Sequence, residues 1–134
     1  MAQFGSFMSA QDGFRDFSIT GMSGLHVAEG AEEGASEILA LLASNPDRAA
    51  RKAFGYADVH SGATALVDAA RSLICDKTDE VHHLKFAAAI FEDLSLVDPR
   101  WQPHMLATAT YYLRGSAHPD SEVVARAREA LGLA

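Results

Sequence analysis

From Ala31 onward the apolar residues recur at a spacing of three and four, and no stretch alternates apolar with polar in steps of two. A strand needs the period of two and a helix the period of 3.6, so this pattern confines the chain to packed helices. Ala35, Ile38, Leu39 and Leu42 form one stripe. A second helix restarts at "NPDRAARKAFGYA", where Asn45 can cap, Pro46 suits the first helical position and Asp47 faces the positive end of the dipole. Its inner stripe is Ala49, Ala50, Ala53, Phe54 and Ala57, mostly small, so a neighbouring helix can come close.

The third helix is expected from about Ser61 to Cys75, with Ala63, Leu66, Val67, Ala70, Leu73 and Ile74 inward and Cys75 as a small buried residue. Thr78 can cap the next, from about Asp79 to Val97. That helix carries two adjacent stripes, Val81, Leu84, Ala88, Phe91 and His83, Ala87, Ile90, Leu94, which predict a central helix packed on two sides. Pro103 cannot sit one turn inside a helix begun at Pro99, so residues 98–102 are a tight turn and the fifth helix spans Pro103 to Arg114. Gly115 would then supply a left-handed stop. A last helix begins at Pro119, with Val124, Ala127 and Leu131 inward. The expectation is an all-α domain over residues 31–134, about six antiparallel helices stacked as helical hairpins or as an irregular bundle.

Residues 1–30 differ. Glycines punctuate them, yet Phe4, Phe7, Phe14 and Phe17 are four of the seven phenylalanines in the chain. Tails without structure rarely carry so many aromatics. The segment is expected to be an arm that folds back on the helical body, or that docks on a partner or on a second copy, making a homo-oligomer.

Proline-started helices recur at Pro46, Pro99 and Pro119. Ala87, Phe91 and Pro99 have the spacing of the small, aromatic and proline positions of a tetratricopeptide repeat, with Leu94 between. The following helix ends "YYLRG", and Val123, Ala127 and Ala130 continue the pattern once three extra residues are allowed in the loop. Residues 80–131 therefore resemble one and a half tetratricopeptide-like repeats. His104 stands where that pattern has tryptophan, and Thr108 where it has glycine. "AIFEDLSLVDPR" also resembles the small tetratricopeptide chaperones of type III secretion, which cradle an aggregation-prone partner. The resemblance implies a concave surface that binds peptides and needs no cofactor.

Trp101, Tyr111 and Tyr112 are the natural anchors of such a surface, joined by Phe4 and Phe7 of the arm. Trp101 and Tyr112 fall near the Met105–Ala109 face and are also candidates for the core; Tyr111 lies further round.

The net charge of −7 opposes a phosphate backbone, so a protein partner is expected and not a nucleic acid. No apolar run approaches the roughly 20 residues of a membrane helix. The first residues lack a basic-then-apolar leader and a lone Cys75 allows no internal disulfide, which fits the cytoplasm.

Signals for catalysis are few. "GMSGL" has the wrong spacing for a nucleophile elbow, and no phosphate loop or dinucleotide fingerprint occurs. Glu92 and Asp93 diverge on their helix. The one constellation with a chemical logic is Glu80-x-x-His83, which puts a carboxylate and an imidazole on one helix face, as in di-iron bundles. Glu29, Glu32, Glu33, Glu37, Asp68 or Glu92 would have to complete it. The alternative to a protein-binding module is thus a metal-binding or enzymatic bundle.

Overall fold

The computed structural model describes residues 22–133, and among them there are six α-helices and no strand. The helices are α1 (Ala31–Leu41), α2 (Pro46–Val59), α3 (Thr64–Lys77), α4 (Val81–Asp93), α5 (Gln102–Ala109) and α6 (Glu122–Ala130). Single 3-10 turns, Ser61–Ala63 and Pro99–Trp101, precede α3 and α5. α1 packs on both α2 and α3, and α4 leans on α3 and α5. The most extensive pairing joins α2 to α5, three helices later in the chain, so the helices close on one another as a bundle.

The α2–α5 pairing follows from side-chain size. Ala49, Ala50 and Ala53 are fully buried, and Leu106, Ala107 and Ala109 of α5 meet them. Small residues on both sides let the backbones approach, and a dense contact gains dispersion along the whole length. α2 is placed by its cap: Arg48 N–H donates to Asn45 Oδ1 at 3.0 Å, with Pro46 in the first turn as expected. Tyr56, the largest fully buried side chain among the described residues, donates its hydroxyl to the Ala31 carbonyl at 2.9 Å and so ties α2 to the start of α1.

Residues 22–28 lie against this core without regular secondary structure. Leu25 N–H donates to the Arg51 carbonyl at 2.9 Å, and Val27 is buried. Lys52, a buried lysine, donates to the His26 carbonyl at 2.7 Å and to Glu37 at 2.6 Å. Its ammonium holds the Glu37 carboxyl below the usual range. A buried ammonium is tolerated only when its donors are met, and here an arm carbonyl and a carboxylate meet them. Phe4 and Phe7 lie outside the described residues.

Several expectations are corrected. α4 is not central: within it only Ala87 and Phe91 are buried, while Val81 is 50% and Leu84 38% exposed. Its partner α5 spans eight residues, too short to cover a second stripe. α5 ends at Ala109 and not Arg114, because Tyr111 and Tyr112 bond back to carbonyls three residues earlier and the Thr110 hydroxyl takes the Ala107 carbonyl at 2.7 Å.

Gly115 is not a left-handed stop. It is the place where the chain crosses the end of α1, and a Cβ there would collide with the Leu39 carbonyl oxygen. α6 begins at Glu122, capped by Ser121, and none of its residues is buried; Leu131, expected inward, is 72% exposed. The helix is held from its start instead. Ser121 N–H donates to the Asp76 carbonyl at 2.8 Å, and the Asp79 carboxylate accepts from Glu122 N–H at 3.0 Å. Cys75 is exposed, not buried.

Gly115→Ala is therefore expected to lower stability by about 2–3 kcal/mol, as overpacking against a fixed backbone does. Urea denaturation checks this; a loss within about 0.5 kcal/mol would mean that α1 and the loop do not touch as described.

Candidate functional site

The Asp98–Gln102 turn is rigid before it is aromatic. Asp98 Oδ1 accepts from Arg100 N–H at 3.1 Å, the Asp98 carbonyl accepts from Trp101 N–H at 2.8 Å, and the Gln102 side chain donates to the Leu94 carbonyl at 3.1 Å. Pro99 fixes one more dihedral. On this base Trp101 stands 42% exposed, so the ring that sequence placed near the core is at the surface. It is braced by the Arg100 guanidinium, 5.8 Å from its ring centre, and by the His104 ring at 5.1 Å. His104 in turn meets Phe54 of α2 edge-on at 4.9 Å. A file of rings thus leads from the α2–α5 contact out to solvent. His104 Nδ1 is buried in this file with no hydrogen-bond partner.

The tyrosines are fastened differently. Tyr111 donates its hydroxyl to Asp47 Oδ1 at 2.9 Å, bridging the turn after α5 to the first turn of α2. Tyr112 packs its ring 4.7 Å from Phe86 of α4. Both are half-buried struts between helices. Of the expected contact set, Trp101 alone is largely open among the described residues.

Glu80 and His83 are each engaged by another group. Glu80 turns to the helix start and accepts from His82 N–H at 3.2 Å, and His83 Nδ1 meets the Thr78 hydroxyl at 3.2 Å. That hydroxyl also accepts from Glu80 N–H at 3.0 Å. Among the described residues there is no group of three or more side chains able to hold a metal ion.

His83 instead belongs to a basic cluster. Burial, and then the Arg114 charge, push both His83 and His118 below the usual imidazole range. His118 Nδ1 accepts from Gly115 N–H at 3.0 Å, which requires that nitrogen to be unprotonated.

Sequence reasoning missed a further feature at the end of α2. Two clefts of about 340 and 670 Å3 share Val59 and His60. Glu29 and Asp58 line the first, Glu32 and Asp68 the second, and among the described residues neither is lined by lysine or arginine. Val59 between them is 72% exposed. His60 lies 4.5 Å from the Tyr56 ring, and its Nε2 has no hydrogen-bond partner. The signal was "ADVHSG", where an apolar residue follows an acid just as the helix ends, three residues before a glycine.

Compared with protein-family models, curated proteins and solved structures, the chain matches none. No helix among the described residues is long and apolar enough to cross a membrane.

The two depressed histidines give a stability profile with a definite sign. The folded state binds fewer protons there than the unfolded state, so their contribution is present above the unfolded value, near pH 6.5, and is lost as pH falls through and below it. Urea midpoints should drop between pH 7.5 and 5.5, and the His83→Asn, His118→Asn double variant should flatten that slope. An unchanged slope would contradict the buried, neutral imidazoles.

Proposed function

We propose that the protein binds another protein through exposed aromatic and apolar surface and carries no chemistry of its own, acting as a chaperone, adaptor, inhibitor or accessory subunit. The observation that supports this best is Trp101: the only tryptophan in the chain, 42% exposed, on a turn with fixed dihedrals and braced on both sides. Pre-positioned indoles give much contact area for little ordering entropy and dominate interface energetics. Leu96, 78% exposed in the same connection between α4 and α5, adds apolar area beside it in sequence.

The preferred partner segment is basic. The chain carries a net charge of −7, and the clefts around Val59 and His60 offer carboxylates without lysine or arginine among the described residues. Such a field speeds encounter with a cationic partner and selects against acidic ones. The tetratricopeptide-like spacing of Ala87, Phe91 and Pro99 agrees with this reading, because repeats of that kind bind peptides. A homo-oligomer joined by the Phe-rich arm, in the cytoplasm, is the form of this proposal in which the partner is a second copy.

A photo-crosslinking residue in place of Trp101 tests it in the native cell, with the same group at exposed Glu129 as the control. A protein adduct from the first position and not the second is expected. With that partner purified, Trp101→Ala should weaken binding by about 2 kcal/mol, roughly thirtyfold, while leaving stability within about 0.5 kcal/mol. Absence of any adduct, or unchanged affinity, contradicts the proposal.

A further inference from the structure

A second place in the fold has the chemistry of a ligand site and plays no part in the surface around Trp101. At the C-terminal end of α3, the start of α4 and the loop that leads to α6, a cavity of about 340 Å3 is lined by Lys77, Thr78, Asp79, Glu80, Arg114 and Asp120. Its charged groups are already committed, with one exception. Asp120 pairs with Lys77 at 2.6 Å and with Arg128 at 3.1 Å. Asp79 takes the Glu122 N–H, and Glu80 takes the His82 N–H. Arg114 is the exception. Its Nε is buried without a hydrogen-bond partner, and no carboxylate among the described residues pairs with its guanidinium.

A partly buried cation with unmet donors is costly, and its fork geometry matches the oxygens of a tetrahedral or planar oxyanion. We propose that this cavity binds a small oxyanion of the phosphate class, with the Arg114 guanidinium as its anchor and the Lys77 ammonium and Thr78 hydroxyl at its wall. Asp120 is paired with Lys77 and Arg128, which leaves Arg114 as the cation of the lining without a carboxylate partner among the described residues.

Binding there is coupled to protons. The groups that face His83 and His118 are Lys77 from α3, Glu80 and His82 from the start of α4, and Arg114 from the loop. Arg114 is the charge that most disfavours protonation of both rings after burial itself. An anion seated on it offsets that repulsion, so His83, whose Nδ1 can turn donor to the Thr78 hydroxyl, takes up a proton as the site fills, and affinity rises as pH falls; the His118 ring, held as an acceptor by Gly115 N–H, reports binding through its shift alone.

Sulfate is the cleaner probe because its charge is constant across this range, and inorganic phosphate is the second arm. Each is titrated into the whole chain at constant ionic strength, with chloride as the control, while the His83 and His118 ring signals are followed by NMR. Saturable shifts of both rings are expected, with sulfate binding about tenfold tighter at pH 5.5 than at pH 8. Arg114→Gln should weaken it by about tenfold or more. Should that variant not fold, Arg114→Lys keeps the charge, loses the fork and should bind several-fold more weakly. Shifts equal to those with chloride, an affinity independent of pH, or an affinity unaltered in the variant that folds would overturn the proposal. Saturation by phosphate but not sulfate would overturn the Arg114 anchor in favour of a contact that needs the phosphate proton.

Discussion

The structure depends on how closely α5 can approach α2. Ala49, Ala50 and Ala53 leave no side chain to hold the helices apart, and Ala107 and Ala109 answer them from the other side. Two backbones so close cannot accommodate ordinary adjustments, so whatever precedes or follows α5 must take its position from that contact. The Asp98–Gln102 turn lands where the Gln102 side chain can donate to the Leu94 carbonyl at the end of α4, and Trp101 is left facing outward. Tyr111 then ties the far end of α5 to Asp47. The exposed indole is thus a consequence of alanine packing between α2 and the helix that Trp101 precedes.

The same closeness explains the arm and the loop. Residues 22–28 lie against α2 because Lys52 donates to the His26 carbonyl and Arg51 donates to the Ser23 carbonyl and accepts from Leu25 N–H. The loop at Gly115 can cross α1 because it has no side chain there. α6 has neither advantage. It buries nothing and is held by a serine cap, a carboxylate cap and one buried-side lysine pair, all at its first turn. Its outer residues Val123, Leu131 and Leu133 remain exposed.

Much of the architecture was legible in the residues. Asn45 and Pro46 mark the start of α2 as expected, the alanine stripe faces a helix, and Leu66, Val67, Ala70 and Ile74 are the buried face of α3. What failed did so for identifiable reasons. Periodicity shows which faces can be buried and not whether a neighbour arrives, hence the misplaced centrality of α4. A glycine after a helix can answer a left-handed turn or a close crossing, and sequence does not distinguish Gly115 from the ordinary stop. Pro119 looked like a helix start because Ser121, the true cap, is two residues further on. At the site, the sequence marked Trp101 as a candidate, but its exposure was not legible, since it depends on the α2–α5 contact. Glu80 and His83 have ligand spacing, yet the helix start and Thr78 claim them first. Arg114 and His118 carry no local signal, because their relation to His83 exists only once the loop has folded over α3.

The central claim is that a tightly packed helical core holds a single indole open to solvent. Because Trp101 is the only tryptophan, its fluorescence reports that claim without interference from another indole. Acrylamide quenching of the folded chain should proceed readily, with an emission maximum close to that of the urea-unfolded protein. A blue-shifted emission that resists quenching until the chain unfolds would contradict the account.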